Sequence, residues 1–125
     1  MIIVVAVAVA GGFGAVARLV LDGLLRARWG ERYLVGTAVI NLSGSLLLGL
    51  VTGLATHQLL PEPWALVVGT GFLGGYTTFS TASVELVRLA EERRPVATLV
   101  HGLGLLVGSV ALAAAGFGLG AMMGS

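Results

Sequence analysis

The 125-residue chain contains no cysteine, no lysine and few charged side chains of either sign. Without cysteine it has no disulfide bonds, no thiolate metal sites and no cysteine nucleophile. Charged residues make up 10% of the sequence and hydrophobic residues 57%, whereas soluble domains carry about 25% charged residues. This composition excludes a water-soluble globular domain, a disordered chain and a nucleic-acid-binding protein.

Four apolar stretches are each long enough to cross a bilayer. A transmembrane helix needs about 20 predominantly apolar residues, and Arg18 is the only charged residue inside these stretches. We interpret the first stretch as a span rather than a cleaved signal peptide, because no basic residue precedes it. We therefore predict an all-α membrane protein that forms a single domain over residues 1–125. Its four spans lie near residues 2–21, 33–56, 64–84 and 96–120.

The arginines outside the spans are confined to the first and third loops. The two loops hold Arg26, Arg28, Arg32, Arg88, Arg93 and Arg94. The N-terminal end, the second loop and the C-terminal end hold none. Because cytoplasmic loops of membrane proteins are enriched in Arg and Lys, we predict a multi-pass protein of the cell membrane. Loops one and three would be cytoplasmic and both termini outside.

Glycine is abundant, with 20 residues, although it averages about 7% of protein sequences. Three pairs are spaced i, i+4, which places both small residues on one helix face and permits close helix packing. They are Gly49–Gly53, Gly104–Gly108 and Gly116–Gly120. Four short helices enclose little space alone, so we expect an oligomer.

Polar residues lie near the centres of the predicted spans, where they are costly and usually functional. Thr37 and Asn41 share one helix face of the second span. Two interpretations are open for Asn41, which either hydrogen-bonds a neighbouring helix as packing glue or donates its NH₂ to a passing anion. His101 and Ser109 lie two turns apart on roughly one side of the fourth span, and a lone histidine in such a place is more often a satisfied interior group.

The third span is the most informative. Four glycines weaken its helix near the middle, at positions Gly69, Gly71, Gly74 and Gly75. Hydroxyl side chains follow at once, at Thr77, Thr78, Ser80, Thr81 and Ser83. We predict that this helix is broken at mid-membrane, where protein, water or an ion must satisfy the exposed backbone groups. The alternative is a glycine kink that the Thr and Ser side chains satisfy.

Arg18 allows two interpretations. In the first, it snorkels or pairs near the membrane interface with Asp22, which lies one helical turn further along. Alternatively, it presents positive charge to a water-filled vestibule and attracts anions. Glu85, at the end of the third span, is a second candidate partner for it.

Three segments resemble the Fluc/CrcB family of fluoride channels. They are residues 11–18 (GGFGAVAR), 36–45 (GTAVINLSGS) and 71–81 (GFLGGYTTFST), of which the last is the most specific. The resemblance covers the whole length and implies passive, fluoride-specific efflux that lowers the toxicity of cytoplasmic fluoride. It also implies an antiparallel dimer, in which one subunit is inverted and two fluoride pathways follow the interface.

The resemblance assigns roles to individual residues. It implies a structural sodium ion at the dimer centre, bound by backbone carbonyls of Gly74 and Thr77 and not transported. Hydroxyl and amide donors would replace the water around fluoride, and the positive edge of Phe79 would face the anion. The fluoride pathway predicted in this way comprises Thr37, Asn41, Phe79, Ser80, Thr81, His101 and Ser109, with Arg18 at the vestibule.

Two features depart from the family pattern. Ala82 stands where the resemblance leads us to expect a second pore phenylalanine. The confinement of the loop arginines to two loops is also a stronger charge bias than the resemblance leads us to expect, because chains that insert in both orientations need little such bias. Two assemblies therefore remain open, a homodimer and a heterodimer with an oppositely oriented paralogous subunit that supplies the phenylalanine.

Two other functions compete with a fluoride channel. A small four-span, proton-coupled drug exporter would need a carboxylate in its first span, and residues 1–21 contain no Asp or Glu. A non-transporting membrane scaffold gives no reason for polar residues to share one depth. The sequence contains no recognisable catalytic set, so we predict that the protein is not an enzyme.

Overall fold

A computed structural model describes residues 1–29 and 35–124 of the chain. These residues are largely helical and include no strand. In chain order they form α1 (Ile2–Trp29), α2 (Val35–Thr56), α3 (Glu62–Ala65), a π-helical segment (Leu66–Leu73), α4 (Gly74–Tyr76), α5 (Ser80–Glu91) and α6 (Pro95–Met123). The prediction of an all-α protein is confirmed for this part of the chain.

Helices α1, α2 and α6 are each long and apolar enough to cross a membrane. Helix α1 continues beyond the predicted end of its span at residue 21 as far as Trp29. An ion pair of 3.0 Å between Arg26 Nε and Asp22 Oδ2 supports this extension at i, i+4 spacing. Residues 33 and 34, at the start of the second predicted span, lie outside the described residues, as does Arg32 in the first loop.

The third span is interrupted. Helix α4 ends at Tyr76, and Thr77 adopts an extended conformation with φ −80° and ψ 160°. Residues 77–79 lie outside the helices, and α5 begins at Ser80. The predicted interruption is confirmed, and it follows directly after the four glycines expected to weaken the helix, all of which are themselves helical.

Those glycines let α1 approach the third span closely. A Cβ atom on Gly75 would collide with the carbonyl group of Gly11, and a Cβ on Gly14 with that of Phe72. Backbone therefore packs directly on backbone along this contact, as small residues permit in membrane helices.

Helices α2 and α6 pack in the same way through two of the three predicted glycine pairs. A Cβ on any of these four glycines would meet a backbone carbonyl of the facing helix; they are Gly49, Gly53, Gly116 and Gly120. The third pair differs, because Gly104 has no atom within 4 Å of its Cβ position and Gly108 meets only the side chain of Leu42. The packing prediction is therefore confirmed for two pairs and wrong for Gly104.

The buried core is small and lies where α2 meets the third span. Ile40, Leu73 and Tyr76 form its centre, and Ile40 is 1% exposed. Large apolar side chains instead cover the outside of α1 and α6, for example Leu19 and Val100. An apolar exterior of this extent suits contact with lipid or with another subunit.

We expect Gly75→Ala to destabilise the protein by about 1–3 kcal/mol, because the new methyl group would overpack the contact with Gly11. Gly12→Ala is the matched control, since nothing lies within 4 Å of its Cβ position. Thermal unfolding and gel filtration of both purified variants in detergent measure the difference. Equal unfolding temperatures would contradict the close packing.

Candidate functional site

The side chain of Asn41 on α2 forms hydrogen bonds with the backbone at the interruption of the third span. Its Nδ2 donates to the carbonyl oxygen of Thr78 at 2.7 Å, and the Thr78 N–H donates to its Oδ1 at 2.9 Å. One amide thus satisfies both backbone groups of a residue that has left the helix. The packing interpretation of Asn41 is therefore realised, and the second hydrogen on Nδ2 is used in no described hydrogen bond.

Hydroxyl groups organise the start of α5. Thr78 Oγ1 accepts from the N–H of Thr81, a residue in the first turn of this helix, at 3.2 Å. The same oxygen donates to Thr81 Oγ1 at 3.2 Å and lies 3.5 Å from Ser80 Oγ. The structure therefore brings Ser80 and Thr81, two predicted pathway residues, together at the interruption.

Several backbone carbonyls near the interruption, including those of Gly74 and Thr77, receive no hydrogen bond from the described residues. The N–H and the Oγ1 of Thr77 both donate to Leu73, at 2.9 and 3.0 Å. The Thr78 N–H, which would reach Gly74 in a continuous helix, is directed to Asn41 instead. The oxygens of Gly74 and Thr77 thus fit the role of cation ligands, because unwound carbonyls in membrane helices coordinate Na⁺.

Two grooves meet at the interruption. One has a volume of about 500 Å³ and the other, between α5 and α6, about 210 Å³. Three predicted pathway residues line both of them: Asn41, Phe79 and Ser109. The Phe79 ring is 88% exposed, so the grooves have an aromatic wall that this chain alone does not cover.

The remaining pathway residues, Thr37 and His101, meet elsewhere, at the buried carboxylate of Glu85. Thr37 Oγ1 donates to Glu85 Oε1 at 2.7 Å, and His101 Nε2 lies 3.8 Å from Glu85 Oε2. Sequence reasoning considered Glu85 only as a partner for Arg18. No local pattern in the sequence signals this contact, because it depends on how α5 packs against α2 and α6.

A second contact that sequence reasoning missed joins α2 to α4. The hydroxyl oxygens of Ser43 and Tyr76 lie 3.0 Å apart, and Tyr76 stacks on Phe72 with ring centroids 6.2 Å apart. This contact fixes the last helical residue before the interruption.

Arg18 does not pair as the first interpretation proposed. Its Nε is buried and has no hydrogen-bond partner among the described residues. Asp22 pairs with Arg26 instead. Its vestibule role stays a prediction.

The fold and the site together define a class: a small helical membrane protein with a polar interruption in one span and grooves that carry hydrogen-bond donors. Comparison with known families identifies the particular one. The profile described as "CrcB-like protein, Camphor Resistance (CrcB)" matches residues 5–117. The chain therefore belongs to the CrcB family.

Curated relatives cover most of the chain. It is 57% identical over 118 residues to "Fluoride-specific ion channel FluC 1" of Leifsonia xyli subsp. xyli, covering 94% of this chain and 85% of that protein. It is 45% identical to FluC 2 of Cutibacterium acnes, covering 91% and 94%. It is 39% identical to FluC of Solibacter usitatus, covering 94% and 93%.

We expect Asn41→Asp to lower the unfolding free energy by about 1–3 kcal/mol, because a carboxylate oxygen would face the Thr78 carbonyl where a donor is needed. Thr52→Val is the control on the same helix, since Thr52 Oγ1 bonds only to Leu48 of its own helix. That variant should stay within about 0.5 kcal/mol of the parent. Equal stability of both variants in detergent would remove Asn41 from its structural role.

Proposed function

We propose that this protein is a fluoride-specific ion channel that lets fluoride leave the cytoplasm passively and so lowers its toxicity. The relatives are named fluoride-specific ion channels, which supports fluoride as the transported ion. The observation that carries the proposal is the convergence of Asn41, Phe79 and Ser109 on both grooves beside the interrupted helix.

The groove chemistry suits a small, strongly hydrated anion. Such an ion enters a protein only where donors replace its water, and the free Nδ2 hydrogen of Asn41 and the Ser109 hydroxyl are donors. The ring edge of Phe79 carries partial positive charge and can meet an anion without binding it tightly. Several weak sites in succession let an ion enter and still leave.

A second subunit would complete the pathway. Phe79 is almost fully exposed, so the groove walls of one chain do not enclose an ion. We propose an antiparallel dimer, which places two such grooves along one interface. It is either a homodimer, or a heterodimer with an oppositely oriented paralogous subunit. The one-sided arginine distribution and Ala82 favour the heterodimer, although neither forbids the homodimer.

We also propose a structural sodium ion at the dimer centre. The residues that would hold it are Gly74 and Thr77 of both subunits, through the carbonyl oxygens that no described hydrogen bond reaches. When bound, the ion supplies fixed positive charge beside the anion pathway. The chain itself positions these oxygens, because Asn41 withdraws the Thr78 N–H that would otherwise occupy Gly74.

The protein is a membrane protein, and the charge pattern extends this to an orientation. We propose that loops one and three face the cytoplasm and that both termini lie outside, because the loop arginines are confined to those two loops.

Fluoride efflux from liposomes that contain only this chain tests the channel. We expect efflux that chloride-loaded liposomes do not match, and we expect Phe79→Ile to reduce it about tenfold, a loss of about 1.4 kcal/mol. Phe13→Ile makes the same change at a 66% exposed ring on α1 and should conduct like the parent. Both variants should remain folded, since neither ring is buried.

The outcomes separate the assemblies. Robust efflux from the chain alone would make a paralogous partner unnecessary. Efflux that appears only after co-expression of an oppositely oriented subunit would establish the heterodimer. Absence of efflux in both preparations would overturn the proposed channel.

Sodium dependence tests the central ion. We expect the unfolding temperature to fall when sodium is replaced by N-methylglucamine at equal ionic strength, since a bound ligand stabilises the folded state. The stabilisation is about 2.7 kcal/mol when the ion is present at 100 times its dissociation constant. An unfolding temperature that does not respond to sodium between micromolar and molar concentrations would argue against the site.

A further inference from the structure

A buried carboxyl and an imidazole face each other between α5 and α6 and share no hydrogen bond. Glu85 is 7% exposed, and its Oε1 accepts from Thr37. Its Oε2 lies 3.8 Å from His101 Nε2, and neither of these two atoms has a hydrogen-bond partner among the described residues. Buried polar atoms without partners are rare, and each requires a physical explanation.

The protonation state of Glu85 and His101 supplies such an explanation. An ionised carboxylate only accepts, whereas a neutral imidazole has one accepting and one donating nitrogen. With a neutral imidazole and an ionised carboxylate the pair carries a net charge of −1, whichever ring nitrogen holds the proton. One added proton makes both ring nitrogens donors and brings the net charge to zero. Proton uptake therefore removes the negative charge of the pair.

Within residues 1–29 and 35–124, few other charges face this pair. Helix α6 carries no charged side chain besides His101, and α2 contains no Asp, Glu, Lys or Arg. On α5 itself, Arg88 and Glu91 are exposed. On α1, the charged residues nearest to the part that packs are Arg18 and Asp22. The Nε of Arg18 has no hydrogen-bond partner among the described residues, and Asp22 pairs with Arg26.

The pair adjoins the groove between α5 and α6. Leu86 and Gly102, the chain neighbours of Glu85 and His101, line the cavity of about 210 Å³ together with Asn41 and Ser109. The helices are close here, since a Cβ on Gly102 would lie 3.1 Å from Leu86 Cδ2. In surroundings of low dielectric constant, a net negative charge at this position repels an anion in the groove.

We propose that Glu85 and His101 form a proton-binding site that controls anion flux through the adjoining groove. The inference rests on the proposed fluoride conduction. Proton uptake neutralises the pair and favours entry of the anion, whereas proton loss leaves a negative charge that slows it. Flux therefore falls as pH rises through the range of about 5 to 8 in which histidine changes charge.

The test measures fluoride efflux from proteoliposomes at equal pH on both sides, between about pH 5 and pH 8, with leakage from protein-free liposomes subtracted. We expect the flux of the parent to fall about tenfold over this range, which corresponds to about 1.4 kcal/mol. His101→Gln cannot titrate, and Glu85→Gln removes the negative charge. Both variants should show a flat pH profile.

His57→Gln is the matched control. The chain has two histidines, and His57 lies just after α2, where its Nδ1 lies 3.0 Å from the Gly53 carbonyl oxygen. This variant should keep the parental pH profile. It also leaves His101 as the single histidine, so the imidazole signals in NMR spectra of isotope-labelled protein report on one residue. These signals should titrate over the same range as the flux, and Glu85→Gln should alter that titration.

The two readouts separate the two proposals. A pH-independent parental flux, or a parental profile in His101→Gln, would overturn the proton site while the channel stands. A lack of fluoride efflux at every pH would overturn the channel. In that case the NMR titration would still decide the proton site, and a His101 signal indifferent to Glu85→Gln would reject it.

Discussion

The side-chain amide of Asn41 and the backbone of Thr78 form two reciprocal hydrogen bonds. The other features of this structure depend on them. A lipid environment offers no water to a helix that stops inside it, so protein or an ion must satisfy each freed N–H and C=O. One amide on α2 supplies both partners for Thr78. It therefore permits an interruption that apolar surroundings would otherwise make too costly.

Helix α2 acts as the scaffold for both polar clusters. Thr37 and Asn41 lie one turn apart on it. Thr37 bonds to Glu85 on α5, and Asn41 bonds to Thr78 just before α5. Three hydrogen bonds thus fix how the interruption and α5 are placed along α2. The other side of α2 is held against α6 by glycines whose backbones meet. Any movement of α2 would therefore affect the interruption and the buried carboxylate together.

Much of this was predictable from the sequence, because a bilayer restricts a chain to a few solutions. The length of the apolar stretches predicted the helices, and the spacing of the glycines predicted most of the contact between α2 and α6. The position of the interruption was predicted only approximately, since glycine weakens a helix but also allows close packing, and the approach of α1 decides between these effects at Gly75. The burial of Glu85 depends on tertiary contacts with Thr37 and His101, which no local pattern of residues encodes.

The interrupted helix presents ends of opposite polarity to the two ions proposed above. A helix ends in unpaired carbonyls with partial negative charge, and the next begins with N–H groups of partial positive charge. Here α4 ends beside the carbonyls of Gly74 and Thr77, and α5 begins at Ser80 beside Phe79. The proposed cation thus faces the negative end, and the proposed anion faces the positive end. Because three residues separate the two ends, fixing a cation at the first raises the potential at the second, which favours the anion without any charged side chain at the site.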